Sequence, residues 1–185
     1  MSASAMAEGR ACGDCTICCI VPGIDTPEIQ KRTGAACRHC GAGGCAIYET
    51  RPRACRSFAC AWLEGAFDAN WRPDRCGVLA RSITFQGRQG MVLTLYADPL
   101  KTVRHSWFVD YVQDQIRNRV PVMLAVSGPQ GSESAKKILI DAEVAHAAAG
   151  SPEQMRQVLR RAVKTLRDGT FEPLPLLNSG NDVSS

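Results

Sequence analysis

The sequence predicts an α+β protein in which a small cysteine-rich N-terminal module packs on a two-layer ββαββα-like unit. Three observations lead there. Of the ten cysteines, all but Cys76 fall between residues 12 and 60. Residues 77–170 alternate β-like apolar runs with stripes of helical period. The flanks, 1–11 and 171–185, are short, small-residue or polar stretches with no apolar pattern.

Taken in order, residues 1–11 read as a mobile tail. Residues 12–63 are rich in Cys, Gly and Arg and lack long apolar runs. Such a segment buries too little apolar surface to fold unaided. Residues 64–76 read as a connecting loop. Residues 77–85 and 91–97 are β-like, with 86–90 as a hairpin loop between them. Asp98-Pro99 suits a helix start, with Asp as cap and Pro in the first turn, and a start near His105 fits equally. Leu100, Val103, Trp107, Phe108, Tyr111, Val112 and Ile116 then repeat at helical spacing. Residues 120–126 form a third strand, and 136–140 a fourth after a loop at 128–135. Met155, Val158, Leu159, Ala162, Val163 and Leu166 make one apolar stripe, so Pro152–Asp168 is an amphipathic helix. Ser151 precedes it and Gly169 follows, as a cap and a stop should. Residues 171–185 read as a second flexible tail.

Eight or nine thiols within fifty residues either pair as disulfides or bind metal. The N-terminus has small residues but no apolar core of the kind an export signal needs, and no uncharged apolar stretch reaches membrane-spanning length. A cytoplasmic location is therefore expected, and there structural disulfides are rare and clustered cysteines serve metal or catalysis. A net charge of +4 and an aromatic share of 6% do not point to nucleic acid. The expected cofactor is zinc or iron, an iron–sulfur cluster included.

The array has three groups. The first is Cys12-x2-Cys15-x2-Cys18-Cys19. On a helix, at about 100° per residue, all four would share one face. In a non-helical knuckle, Cys12 and Cys15 would chelate together while Cys18 and Cys19 point apart. Either way the adjacent pair argues for two metal centres, or one polynuclear centre, since a single tetrahedral zinc takes four ligands. The second group, Cys37-Arg38-His39-Cys40-Gly41, is a knuckle-like turn, with Gly41, Gly43 and Gly44 leaving a tight loop before Cys45. In the third, Pro52 opens a helix on which Ala54, Cys55, Phe58, Ala59, Trp62 and Leu63 recur, and Cys60 follows Cys55. Cys55 then lies near a helix N-terminus, where the dipole favours thiolate. Arg51, Arg53 and Arg56 flank it. Two zinc ions with eight thiolates carry a net charge of about −4, which guanidinium groups would offset.

Cys12-x2-Cys15-x2-Cys18-Cys19, Cys45-Ala46-Ile47-Tyr48, Arg51-Pro52, Cys55-Arg56, Phe58 and Cys60 together resemble the YkgJ-type CxxCxxCC family. That bacterial family is described as a zinc- or iron-chelating cysteine-cluster domain; flagellin lysine N-methylases carry a similar cluster, and some members have been labelled iron–sulfur oxidoreductases. The likeness covers about residues 12–63. It implies Cys12, Cys15, Cys18, Cys19, Cys45, Cys55 and Cys60 as ligands, with one more from Cys37 or Cys40. Residues 64–185 carry no methylase signature.

The remaining candidates are weaker. His39 lies between two ligand candidates and reads as a polar knuckle residue. His105 and His146 stand alone. Cys76 reads as a small buried hydrophobe. Trp62, Trp71 and Trp107 suit a core more than a base-stacking platform. Arg156, Arg160, Arg161, Lys164 and Arg167 make one side of the last helix basic, which is ordinarily a solvated face. No Ser-His-Asp set or carboxylate pair is visible, so catalysis has no candidate side chain. The leading expectation is a metal-binding protein with an unidentified protein partner or substrate. An iron–sulfur oxidoreductase or methylase-like enzyme comes second, although the array lacks the fourth ferredoxin spacing. A zinc-ribbon-like nucleic-acid or protein-interaction module ranks last, and no membrane role is expected.

Overall fold

The computed structural model describes residues 7–128, 136–140 and 150–169. The N-terminal module holds α1 (Ile17–Ile20), the ladder of β1 (Ile24–Asp25) with β2 (Gln30–Lys31), and that of β3 (Cys40–Gly41) with β4 (Gly44–Cys45). A 3-10 turn (Tyr48–Thr50) and α2 (Arg53–Arg56) follow. A second 3-10 turn (Ala69–Trp71) and α3 (Pro73–Cys76) lead into β5 (Val78–Phe85), β6 (Arg88–Leu95), α4 (Pro99–Thr102) and α5 (Ser106–Arg117). After these come β7 (Val122–Val126), β8 (Lys136–Leu139) and α6 (Pro152–Asp168). The class is α+β.

The long strands form one sheet in the order β5-β6-β7-β8, antiparallel at both outer pairs and parallel between β6 and β7. A parallel neighbour needs a crossover, and α4 with α5 provides it. Val78, Ala80, Leu93, Leu95 and Leu124 of the sheet meet Phe108, Val109 and Val112 of α5 and Met155, Leu159 and Val163 of α6 in a single core. Ser151 Oγ accepts the Gln154 N–H at the start of α6. Asp98 accepts the Lys101 N–H at the start of α4, and a second helix opens after His105, so both helix starts weighed from the sequence are used.

Two expectations about local structure change. The hairpin loop is two residues long, not five: Gln86 and Gly87 take φ 49° and 75°, and the ladder runs to Phe85 opposite Arg88. Paired left-handed residues are what a tight hairpin turn requires, and Gln is a less familiar first residue there than Asn or Asp. The helix expected through residue 63 stops after one turn, at Ser57. Beyond it Ala61 donates its N–H to the Ala80 carbonyl at 2.9 Å, joining the module to β5. Tertiary pairing overrides the helical spacing of Phe58, Trp62 and Leu63.

The segment 64–76 carries core residues. Phe67 stacks on Trp71 at 4.3 Å, and Trp71 meets Trp107 edge-on at 4.7 Å. Ala7 donates its N–H to Leu63 O at 3.0 Å, and Arg10 caps the Trp62 carbonyl. Residues 1–6, 129–135, His146 and the tail 171–185 lie outside the described residues. Alternation along β5 sets the geometry of the site: Val78 and Ala80 enter the helix-covered core, while Leu79 and Arg81 line the cavity of the cysteine module.

Candidate metal centre

One cavity of about 210 Å³ is lined by Cys12, Cys15, Cys18, Cys19, Cys37, Cys45, Cys55 and Cys60. Of the nine cysteines expected as ligands, Cys40 is the one that does not line it. All ten cysteines are free thiols.

Each group arrives by its own local structure. Cys12 and Cys15 sit on a non-helical turn closed by Cys15 N–H on Cys12 O at 3.0 Å. Cys18 and Cys19 lie on α1, a single turn. Only the adjacent pair is therefore helical, and the knuckle alternative describes the start of the array. The Cys37–Cys40 turn closes by Cys40 N–H on Cys37 O at 2.8 Å, and the His39 N–H points at Cys37 Sγ at 3.5 Å. Cys40 and Cys45 are opposite one another on the β3–β4 ladder. Glycine matters in this hairpin at Gly44, whose φ is +105° and whose added Cβ would lie 2.2 Å from Gly13 O. Gly41 and Gly43 have open space around them. The hairpin thus docks its backbone directly on the Cys12–Cys15 turn.

The thiols differ in their electrostatic neighbours. Cys18 faces Cys12 and Cys15 besides Cys19, and Cys60 faces the same two. Cys55 faces Cys19, Cys37 and Cys45. Cys40 is hydrogen-bonded to Cys19 and lies near Cys37, and Cys76 has Cys15 as a neighbour. The Cys18–Cys19 pair links these neighbourhoods. There the Cys18 thiol is held above its ordinary range by its hydrogen bond to Cys19 and by burial, while Cys19 is pulled down by that same bond. Lys31, Cys40 and Arg51 add to the lowering at Cys19. Burial, first among the causes, pushes Cys15, Cys40, Cys55 and Cys60 up. For Cys55, burial and then its neighbours Cys19, Cys37 and Cys45 act against the ionisation that the helix start was expected to favour.

Among the described residues no three His, Cys, Asp or Glu side chains already converge on a point that would hold an ion. The thiols stand around the cavity wall. The donor chemistry nonetheless fits a thiophilic metal: the lining has eight sulfurs and one imidazole, and no carboxylate. Soft thiolates select zinc, copper(I) or iron–sulfur clusters over magnesium or calcium.

The supporting charges differ from those read in the sequence. Arg53 and Arg56 are exposed. Arg51 lines the cavity, donates from Nε to Tyr48 O at 2.7 Å and stacks over the Tyr48 ring at 3.6 Å. The Tyr48 phenol is raised by burial and by a hydrogen bond with Cys12. Arg72, which the sequence did not single out, donates to Cys12 O at 3.2 Å and pairs with Asp14 and with Asp74, holding the first knuckle against α3. Lys31 lies beside Cys18, Cys19, Cys37 and Cys40 and was also missed. A basic residue in a polar segment gives no signal until the fold brings it to the thiols. His39 lines the cavity, but its Nε2 accepts from Arg38 Nε at 3.0 Å. Cys76 Sγ lies 3.4 Å from Val78 O, half-buried against the core, and burial pushes it up to about 11.

Among the described residues no helix is long and apolar enough to cross a membrane. No protein-family model matches the chain, and comparison with curated proteins and with solved structures finds no match.

Proposed function

We propose that this chain is a cytoplasmic metal-binding protein that chelates zinc or iron through its cysteine thiolates, with the α+β unit as a platform for an unidentified protein partner or substrate. The observation that carries the reading is the cavity lined by eight cysteines and no carboxylate. Cysteines brought from three separate stretches of chain to one cavity are costly to explain as packing alone. We group Cys12, Cys15, Cys18 and Cys60 as one set of four and Cys19, Cys37, Cys45 and Cys55 as the other, which suits two tetrahedral ions, each taking four sulfurs at about 2.3 Å. Closing either shell requires the thiols to turn inward about χ1 and to lose their protons, so binding is coupled to local folding and releases protons. The likeness of residues 12–63 to the YkgJ-type family points the same way.

The test is elemental analysis of protein purified without oxygen, together with its visible spectrum. About two zinc ions per chain and a colourless solution support discrete thiolate sites. A brown protein containing iron and sulfide, with broad absorbance near about 400 nm, supports the iron–sulfur form of the same reading. Less than one ion of either metal per chain refutes it.

A further inference from the structure

We infer that Lys31, beside the cavity rather than in its wall, is a counter-charge of the metal centre, a positioning residue that holds the Cys18–Cys19 turn against Cys37 and offsets the negative charge of the sulfurs there. This rests on the metal-binding reading above. The β1–β2 hairpin folds Lys31 back over the end of α1, the helix that carries Cys18 and Cys19. Its ammonium donates to Ile20 O at 2.9 Å and Ala35 O at 3.1 Å, contacts Pro22 O, and lies 3.4 Å from Arg32 O. Ile20 O is the last carbonyl of α1, and Ala35 stands two residues before Cys37. One side chain therefore ties the two chain segments that deliver Cys18, Cys19 and Cys37.

Lys31 is half-buried, and burial works against its charged form. Removing an ammonium from water is expensive unless an anion lies near. Among the described residues Lys31 has no carboxylate partner. The anion-forming groups that face it are the thiols of Cys37, Cys19, Cys18 and Cys40. Its charge is matched when those sulfurs are metal-bound thiolates. Outer partners of this kind typically change metal affinity by about 10- to 100-fold.

The experiment uses the full chain and the Lys31→Gln and Lys31→Arg variants, loaded with cobalt(II) and with zinc under anaerobic conditions. Zinc affinity is read against a chromophoric chelator, and the cobalt form by its thiolate-to-metal charge-transfer band. Lys31→Gln keeps a donor but no charge. It is expected to bind zinc about 10- to 100-fold more weakly. Its charge-transfer band should move to longer wavelength, because sulfur electrons no longer held by a nearby cation transfer more easily. Lys31→Arg should restore both properties. A Gln variant with unchanged affinity and an unmoved band overturns the inference and leaves Lys31 as a carbonyl cap. An Arg variant as impaired as Gln also overturns it. Should the Gln variant not fold, the Arg variant decides alone, since it must keep the wild-type band. A wild-type chain that takes up neither metal defeats the metal-binding reading itself and this inference with it.

Discussion

Replacing Gly44 with alanine attacks a place where two ligand-bearing turns touch backbone to backbone. The new Cβ would lie 2.2 Å from Gly13 O, 3.3 Å from Gly13 C and 3.6 Å from Asp14 Cα. Carbon normally stops at about 3.3 Å from a carbonyl oxygen, so the β3–β4 hairpin must retreat by roughly 1 Å. The obstacle is backbone, and no side chain can swing aside to relieve it. The φ of +105° adds a cost of its own, about 1–3 kcal/mol for a residue with a Cβ. Overpacking adds about 1–3 kcal/mol more. Together these amount to about 2–6 kcal/mol, charged to the assembled module rather than to the sheet core. At about 1.4 kcal/mol per tenfold, zinc affinity should fall by a factor of about 30 or more. Gly43→Ala and Gly41→Ala, which meet nothing within 4 Å, are the controls and should leave affinity within about twofold. The assay is chelator competition on all three variants beside a thermal melt. If Gly44→Ala binds zinc as tightly as Gly43→Ala, the hairpin does not hold the first knuckle in place and the assembly described above is wrong.

Other expectations test separate parts of the structure. Cys15→Ser and Cys55→Ser, one from each set of four, should each lower metal content and open the module to proteolysis, while Cys76→Ser, whose thiol packs outside the cavity, should do neither; full metal loss in Cys76→Ser would show that the site extends further than drawn. Cys37→Ser should cost far more metal than Cys40→Ser, because Cys37 is buried in the cavity wall and Cys40 does not line it, and the reverse order in elemental analysis would exchange the two. Phe108→Ala empties a fully buried site in the helix–sheet core and should destabilise the chain by about 3–5 kcal/mol in denaturant melts. Its metal stoichiometry should hold under native conditions.

The α+β unit was legible because its signals are local. Alternation gave β5 and β6, the stripe from Met155 to Leu166 gave α6 with its Ser151 cap, and Asp98-Pro99 marked α4. The hairpin turn was misjudged where Gln86 adopts a left-handed conformation on tertiary and turn grounds that its side chain does not advertise. In the cysteine module, eight of the nine cysteines that spacing singled out line one cavity. Their grouping was not, because it joins Cys60 to Cys12 and Cys15 and joins Cys55 to Cys19, Cys37 and Cys45 across long sequence separations. For the same reason Lys31 and Arg72 carried no signal: a lone cation acquires its role only when a hairpin or a helix start folds it onto the thiols.

The distribution of apolar burial says what the thiols must contribute. From residue 12 to residue 58 the buried apolar side chains are Val21, Ile29 and Cys37, whereas Ala61, Phe67 and Trp71 belong to the sheet core. The end of the module is therefore fastened by hydrophobic packing and by the Ala61–Ala80 hydrogen bond. Its front, with seven of the eight cavity cysteines, has little apolar surface to hold it. Ordering each residue costs about 1–2 kcal/mol of conformational entropy, and three buried side chains cannot offset that over such a stretch. Metal ligation is the kind of interaction large enough to do so. Hydrogen exchange should thus show two tiers. Amides of β6 and β7 should stay protected whether or not metal is present, and those of Cys15, Cys19, Cys37 and Cys40 should lose protection when a chelator is added. Equal protection of both tiers in chelator would mean that the front of the module is held by something other than metal, and the case for a structural metal centre would fall.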